Sequence, residues 1–329
     1  MYKYILSFTT HGKRISTINH YLEHTFFNGK LDLSKYHIVM VVDEPEVSKI
    51  TEETKSKYLD TNKVELLVAD KHTGPHGKYY YAMQKYKDFP IITLDDDFIY
   101  EAPAIDYLAE YYENHPEKNN CVYSYEGEII DIEQPYFRFF ALTCIVQGWK
   151  IHFMKYKKES YKYNLLNSPR TDIMVNGFGM ILYPPNILQI DDTYYDKYIC
   201  EDMDRRIDDF VLCIREQDLG VKRCVVEFPK EKGLPYDHTH SQHGLSDKKD
   251  VYDYTTEYWL KHNQKFYNTE ITKELSTRRA NYLPRFKKPV YKELCEKYNL
   301  PMYLHIKKPK KVVVKEEPPE GLDDFFEKE

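Results

Sequence analysis

Apolar runs alternate with helix-spaced segments along the first hundred residues. Four runs of mostly apolar residues have the length and composition of strands, namely 2–8, 37–42, 64–69 and 90–94. Residues 13–24 and 77–87 instead carry apolar side chains at helical spacing. Apolar strands that alternate with helices are typical of a parallel sheet whose two faces are both covered. The pattern therefore predicts an α/β fold with a mostly parallel, Rossmann-like sheet and helices on both faces.

Polar side chains follow each of the four predicted strands at the point where the strand ends. These residues are Thr9, Thr10, Asp43, Glu44, Asp70, Asp95, Asp96 and Asp97. Parallel strands end at the same edge of their sheet, and ligands of such sheets bind beyond that edge. We therefore expect these side chains to converge on one rim.

The rest of the chain is less regular. Residues 176–185 predict a strand that is bounded by glycines and a Pro-Pro stop, and 201–220 predict an amphipathic helix with a glycine cap. A further strand is predicted over 221–228. Residues 251–305 predict a helical C-terminal extension, and the charge-blocked tail 306–329 predicts disorder.

The composition excludes several classes of protein. The chain has 329 residues and a net charge of −6, so no overall basic field indicates a nucleic-acid partner. Its six cysteines show no CxxC pairing, which favours reduced thiols over a zinc cluster or a disulfide framework. No apolar run approaches the roughly 18 residues that a transmembrane helix needs, and the N-terminus does not resemble a signal peptide. We expect a cytoplasmic protein without a transmembrane segment.

Two compositional features remain open. The 32 tyrosines either pack the core or stack on the CH faces of a sugar. The basic and acidic blocks of the tail either form a solvated terminus or make peripheral contact with a membrane or a partner.

Three consecutive carboxylates follow the fourth predicted strand. In an extended chain, Asp95 and Asp97 share one face while Asp96 points the other way. Two carboxylates on one face suit a hard divalent cation such as Mg²⁺ or Mn²⁺, especially one that also binds phosphate oxygens. An acidic turn or helix cap is the structural alternative. The position directly after a buried strand favours the metal site.

Two other segments could bind or activate a substrate. A Gly-Pro…Gly loop precedes Lys78, where free N–H groups and the ammonium could hold an anion, although an ordinary turn explains the same residues. Glu201 and Asp202 open the predicted helix 201–220. Either the helix macrodipole stabilises these carboxylates at the helix N-terminus, or one of them is a general base that takes the proton of an attacking hydroxyl.

A histidine cluster follows near residue 240. Its members are His238, His240 and His243. A neutral imidazole is an acceptable further ligand for Mn²⁺, whereas a surface cluster without function is the alternative.

Taken in order, these segments resemble a family of bacterial enzymes. The order is "LSFTTHGKR", "VVDE", "TGPHGKYYYAMQKY", "IITLDDDFIY", "NGFGMILYPP", "EDMDRR" and "HSQHGLS". It resembles the family 2-like, capsular-polysaccharide-type glycosyltransferases with a GT-A fold. The resemblance implies a GT-A catalytic domain over 1–250, with a nucleotide-binding part over about 1–100 and an acceptor part over about 101–250. In one departure, the family's helix-opening pair is more often Asp-Asp before an aromatic segment, whereas "EDMDRR" begins with Glu-Asp.

The resemblance also implies a role for each matching residue. The residues that would bind the donor nucleotide are Thr9, Thr10, Arg14, Asp43 and Lys78. The remaining aspartate of the triplet, Asp96, is expected to face either the nucleotide ribose or the protein. Those that would let the donor sugar approach the backbone are Gly177 and Gly179. Those that would hold the divalent cation are Asp95, Asp97 and one of His238, His240 and His243. The catalytic base would be Asp202 or Glu201.

The implied function is metal-dependent sugar transfer in polysaccharide biosynthesis. The donor would be a nucleotide-sugar, with a UDP-sugar favoured, and the acceptor a hydroxyl of a glycan or a lipid-linked acceptor, attacked with inversion. A nucleotidyltransferase or sugar-nucleotide hydrolase would also place a cation and acids on an α/β sheet. A non-catalytic carbohydrate-binding protein is the third alternative.

Overall fold

A seven-stranded sheet organises the part of the chain that can be described. The computed structural model describes residues 2–130, 139–141, 166–171, 173–199 and 208–237, all of which belong to one compact unit. The predicted helical extension and the predicted tail lie outside these residues.

Strands and helices alternate from the start of the chain. The described strands are β1 (Tyr4–Thr9), β2 (Tyr36–Asp43), β3 (Glu65–Ala69), β4 (Ile91–Asp95), β5 (Ile99–Tyr100), β6 (Cys121–Ser124), β7 (Gly127–Ile130), β8 (Phe139–Ala141), β9 (Ile173–Val175), β10 (Ile181–Tyr183), β11 (Lys222–Val225) and β12 (Tyr236–Asp237). The described α-helices are α1 (Ile18–Thr25), α2 (Glu52–Thr54), α3 (Gly77–Lys85), α4 (Ala102–Asn114), α5 (Asp192–Tyr194) and α6 (Asp208–Asp218).

The large sheet has the strand order β11-β6-β10-β4-β1-β2-β3. Only β10 runs antiparallel to its neighbours β4 and β6, and the other pairs in this sheet are parallel. The mostly parallel α/β fold is therefore confirmed. Because β1 pairs with β2 on one side and with β4 on the other, the strand order reverses at β1, and such switch points are where α/β sheets bind ligands.

Two smaller sheets flank the large one. Strands β8, β7 and β9 form an antiparallel sheet. Strand β12 pairs antiparallel with β5, which places Asp237 opposite Ile99.

Two apolar clusters cover the two faces of the large sheet. Leu6 and Phe8 of β1 lie in one cluster and Ile5 lies in the other, as strand alternation requires. Helices α1 and α4 contribute to the first cluster, and α3 and α6 to the second. The predicted cover of helices on both faces is thus confirmed.

Some elements differ in detail from the predictions. The predicted helix 13–24 begins as a 3₁₀ turn over Gly12–Thr17 and becomes α-helical only at Ile18. In this turn, the hydroxyls of Ser16 and Thr17 donate to carbonyls three residues earlier and compete with the helical pattern. The predicted strand 176–185 is a strand only over β10, because its glycines form a 3₁₀ turn over Gly177–Gly179.

Other expectations fit the described residues. Cys121, Cys213 and Cys224 are buried and free, as the reduced-thiol interpretation predicts. The described helices include none that is long and apolar enough to cross a bilayer.

A buried ion pair joins α6 to β11. Glu216 and Arg223 are fully buried, and the Glu216 carboxylate lies 3.6 Å from Arg223 Nε. The guanidinium also donates to the carbonyls of Ile173, Val221 and Thr171. Burial, only partly offset by Arg223, raises the pKa of Glu216 to about 7.

We expect this carboxyl to make stability depend on pH. Its folded-state pKa is raised, so the stabilisation from the bound proton is full below the usual glutamate pKa and is lost as pH rises through about 7. Between about pH 5.5 and pH 8, wild-type protein should therefore lose about 2 kcal/mol of unfolding free energy that Glu216→Gln does not lose. Urea unfolding at both pH values measures the difference. The exposed Glu52→Gln is the matched control, and identical pH profiles for the two variants would contradict the assignment.

Candidate functional site

The polar ends of the parallel strands meet at one rim, as predicted. Thr9 at the end of β1 is paired in register with Asp95 at the end of β4. On the other side of β1, Thr9 pairs with Val41, two residues before the end of β2 at Asp43. The rim therefore lies at the switch point of the sheet.

The acidic triplet forms the turn that leaves β4. Asp96 is the most buried of the three, with 3% of its side chain exposed, against 16% for Asp97 and 26% for Asp95. The buried Tyr100 hydroxyl accepts a hydrogen bond from the Asp95 N–H (3.0 Å) and donates to the Phe178 carbonyl (3.2 Å). One phenol therefore ties the triplet to the Gly177–Gly179 turn.

Arg14 binds the triplet. Its Nη1 atom lies 2.7 Å from Asp96 Oδ1 and 3.2 Å from Asp97 Oδ2. Its Nη2 atom also lies 3.3 and 3.4 Å from the two ring nitrogens of His11. The role that the resemblance implies for Arg14, binding of the donor nucleotide, stays a prediction. The side chain is 38% exposed and starts from the 3₁₀ turn that follows β1.

Lys78 lies between two carboxylates. Its Nζ atom is 2.5 Å from Asp95 Oδ1 and 2.8 Å from Asp208 Oδ2, and only 3% of its side chain is exposed. Although burial alone disfavours the ammonium, Asp208 and Asp95 raise the pKa of Lys78 above its usual value. The predicted contact of Lys78 with an anion or with the donor nucleotide stays a prediction, and the partners of this ammonium in the structure are carboxylates.

Gly77 explains how Lys78 reaches this position. A Cβ atom at residue 77 would lie 2.9 Å from Thr73 Oγ1 and 3.0 Å from Thr9 Oγ1. The absence of a side chain therefore lets the start of α3 approach the end of β1.

Asp208 and Asp209 open α6 and were missed by the sequence analysis. Asp208 pairs with Lys78, and Asp209 Oδ1 accepts a hydrogen bond of 2.7 Å from the Gly177 N–H. Burial, followed by the charge of Asp208, raises the pKa of Asp209 well above its usual value. The signal was present in the sequence, because Asp208 and Asp209 precede Phe210 and so match the Asp-Asp-aromatic pattern of the resembled family.

The two glycines of the 3₁₀ turn differ in their surroundings. A Cβ at Gly177 would lie 2.9 Å from both Lys78 Nζ and Asp209 Oδ1, so this glycine brings the backbone against the charged groups. A Cβ at Gly179 would lie 2.4 Å from the Cβ of Glu126. Gly179 therefore allows close packing on Glu126, a buried residue whose carboxylate accepts the Tyr236 hydroxyl at 2.7 Å.

Two more predicted residues belong to the rim. Thr10 is buried, and its side chain, after Arg14, partly offsets the rise that burial causes in the pKa of Asp96. Asp43 forms a hydrogen bond of 2.5 Å with His72 Nδ1. Thr9 Oγ1 donates to the Val41 carbonyl at 3.2 Å.

Among the described residues, carboxyl groups outnumber cations around Lys78 and Arg14. These two cations face five carboxyl groups, which are Asp95, Asp96, Asp97, Asp208 and Asp209. Burial is the main cause that raises the pKa of Asp96 and of Asp97 to about 6, and neighbouring carboxylates add to it. Within the described part of the chain, this excess of carboxyl groups suits a positively charged ligand.

Carboxylate oxygens are suitable ligands for Mg²⁺ or Mn²⁺. Within the described residues, however, no group of three or more His, Cys, Asp and Glu side chains is arranged to hold a metal ion. Asp95 and Asp97 could supply part of a ligand set. The other predicted ligands His238, His240 and His243, and the predicted bases Glu201 and Asp202, lie outside the described residues.

Comparisons with known proteins add resemblances of fold. No family model and no curated protein matches the chain. Among solved structures, it aligns with S. aureus TarS 1-349 in complex with UDP-GlcNAc at 12% identity, covering 90% of this chain and 80% of that one, with a TM-score of 0.49. It also aligns with the mannosyltransferase PcManGT from Pyrobaculum calidifontis in complex with GDP-Man and Mn²⁺ at 12% identity, covering 90% and 84%, with a TM-score of 0.40. At such identities and scores, the function has to be argued from the chain's own residues.

We expect Tyr100→Phe to destabilise the site. The variant leaves the Asp95 N–H and the Phe178 carbonyl without their buried partner, which should lower the free energy of unfolding by about 1–3 kcal/mol. Tyr183→Phe is the matched control, because its hydroxyl is buried without a hydrogen-bond partner among the described residues. Its removal should cost less than about 0.5 kcal/mol. Denaturant unfolding measures both values, and equal losses would contradict the role of Tyr100.

Proposed function

We propose that the chain is a metal-dependent glycosyltransferase that uses a nucleotide-sugar, with a UDP-sugar as the favoured donor. The observation that carries the proposal is the cluster in which Lys78 joins Asp95 at the sheet's switch point to Asp208 at the start of α6. This cluster brings the acidic turn, which would bind the cation, next to a second acidic pair, which would supply the base for sugar transfer. A glycan or a lipid-linked molecule would supply the acceptor hydroxyl.

Asp95 and Asp97 would hold the divalent cation, and His238, His240 or His243 could add a ligand. Asp237 is the last described residue before these histidines. It pairs with Ile99, and Ile99 is two residues after Asp97. When bound, the cation would neutralise the charge that develops on the diphosphate as it leaves the sugar.

The residues of the rim would bind the nucleotide. Thr9 and Asp43 end β1 and β2, and Thr10 follows β1, on the side of the switch point where a base and ribose would lie. Asp96 is buried against Arg14 and would fix the turn, and its second oxygen, which has no hydrogen-bond partner among the described residues, would accept a hydrogen bond from the nucleotide. Gly177 would allow the donor sugar to approach the backbone.

Asp209 is the candidate general base among the described residues. A base works best when its pKa lies nearer to the working pH, and burial together with Asp208 raises the pKa of Asp209. The hydrogen bond from the Gly177 N–H fixes its carboxylate. It would take the proton of the acceptor hydroxyl as that oxygen attacks the anomeric carbon and the bond to the diphosphate breaks. Asp202 and Glu201 are the competing candidates that the sequence predicts.

The double variant Asp95→Asn/Asp97→Asn tests the metal assignment. Without these carboxylates, turnover should fall by about 100-fold or more while the fold is retained, because the stabilisation of the leaving diphosphate is lost. A panel of nucleotide-sugars, assayed for release of the nucleoside diphosphate with Mn²⁺ and with chelator, supplies the measurement. The exposed pair Asp32→Asn/Asp60→Asn makes the same change in charge at the surface. Near-wild-type turnover in the Asp95/Asp97 variant would exclude the metal role.

Comparison of Asp209→Asn with Asp202→Asn tests the base. We expect Asp209→Asn to lose turnover by about 100-fold or more but to keep the thermal shift that UDP plus Mn²⁺ produces. Asp202→Asn should keep most of its turnover. The reverse result would assign the base to the residue that the sequence predicts.

A further inference from the structure

The chain itself supplies two cations to the carboxylates that are proposed to bind the metal. Lys78 is 2.5 Å from Asp95 Oδ1, and Arg14 is 3.2 Å from Asp97 Oδ2. Each candidate ligand therefore has one oxygen in an ion pair. A divalent cation that binds these carboxylates has to share them with Lys78 and Arg14 or displace those side chains.

The two resident cations differ in how easily they could leave. Lys78 is 3% exposed, and its departure would leave both Asp208, which is 11% exposed, and Asp95 without their counter-ion, at a high cost. Arg14 is 38% exposed; it holds Asp96, the most buried carboxylate, at 2.7 Å but the more exposed Asp97 at 3.2 Å. The contact of Arg14 with Asp97 is thus the exchangeable one, and Lys78 is the fixed cation.

Charge repulsion favours that exchange. A guanidinium bound to Asp97 lies within a few ångströms of any cation on the same carboxylate, and like charges at such distances repel strongly. Arg14 lies just after the end of β1, at the rim where the diphosphate would bind. The planar guanidinium can pair with phosphate oxygens through two parallel hydrogen bonds.

We propose that Arg14 and the divalent cation compete for Asp97, so that cation binding releases Arg14 to the diphosphate of the donor. This inference rests on the metal site of the proposed function. It assigns Arg14 a double role, as counter-ion of the acidic turn and then as ligand of the nucleotide. It also makes the binding of metal and of nucleoside diphosphate mutually favourable, because the metal frees Arg14 from Asp97 for the diphosphate, and the diphosphate draws Arg14 away from the carboxylate that the metal needs.

The test measures binding of Mn²⁺ alone to the full chain, by calorimetry or by the electron paramagnetic resonance signal of free Mn²⁺. In Arg14→Gln the competitor is gone, so we expect Mn²⁺ to bind about tenfold more tightly than in wild-type protein. The affinity for UDP in the presence of Mn²⁺ should fall. Lys57→Met is the matched control, because it removes one positive charge from a surface ion pair with Glu23. Its Mn²⁺ affinity should stay within about twofold of wild type.

Two further variants sharpen the result. Arg14→Lys keeps the charge and should keep most of the competition. Asp97→Asn in the Arg14→Gln background should remove the gain in affinity, since the released carboxylate is its source. Circular dichroism confirms that each variant is folded.

The inference is overturned if Arg14→Gln binds Mn²⁺ no more tightly than wild type, or if neither protein binds it. Its outcome is separate from that of the proposed function, because the measurement needs no sugar transfer. Tighter Mn²⁺ binding in a protein that uses no nucleotide-sugar would contradict only the proposed transfer. Sugar transfer together with an unchanged Mn²⁺ affinity would contradict only the competition.

Discussion

One buried ammonium determines the geometry of the candidate site. Lys78 binds Asp95 at the end of the central strand β4 and Asp208 at the start of α6. Strand β4 and helix α6 are far apart in the sequence. Without that charge, the carboxylates would repel each other in a poorly solvated place. Space for the contact comes from two glycines, since Gly77 lets α3 approach β1 and Gly177 has no side chain to collide with the ammonium.

Neutral hydrogen bonds and ion pairs hold different parts of the structure around the acidic turn. The backbone of the acidic turn is fixed by the Tyr100 hydroxyl, and the neighbouring strand β12 is tied to Glu126 through Tyr236. The carboxylate oxygens of the turn have other partners, since Asp96 and Asp97 pair with Arg14 and Asp95 pairs with Lys78. Neutral hydrogen bonds therefore hold the backbone of the turn, while ion pairs hold its side chains.

Much of the fold could be predicted because periodicity is a local property. The four apolar runs became β1 to β4, and their polar ends met at one rim as parallel pairing dictates. Helix α4 and strand β6 were not predicted. The partners of Arg14 and Lys78 were also beyond the sequence, because pairing between side chains depends on which elements become neighbours. Asp208 and Asp209 were overlooked for a different reason, since another acidic pair, Glu201 and Asp202, precedes them in the same predicted helix.

A raised carboxyl pKa does not by itself identify a functional group. Burial raises the pKa of Glu216 as it does those of Asp96 and Asp97, yet Glu216 faces a guanidinium that three backbone carbonyls hold in place. That pair lies between α6 and β11 and connects structural elements. Asp96 and Asp97 instead lie at the switch point, in a group that holds five carboxyls and two cations among the described residues. Either protonation or a positively charged ligand relieves the repulsion in such a group, and its location where ligands bind, together with the excess of carboxyls, is what indicates function.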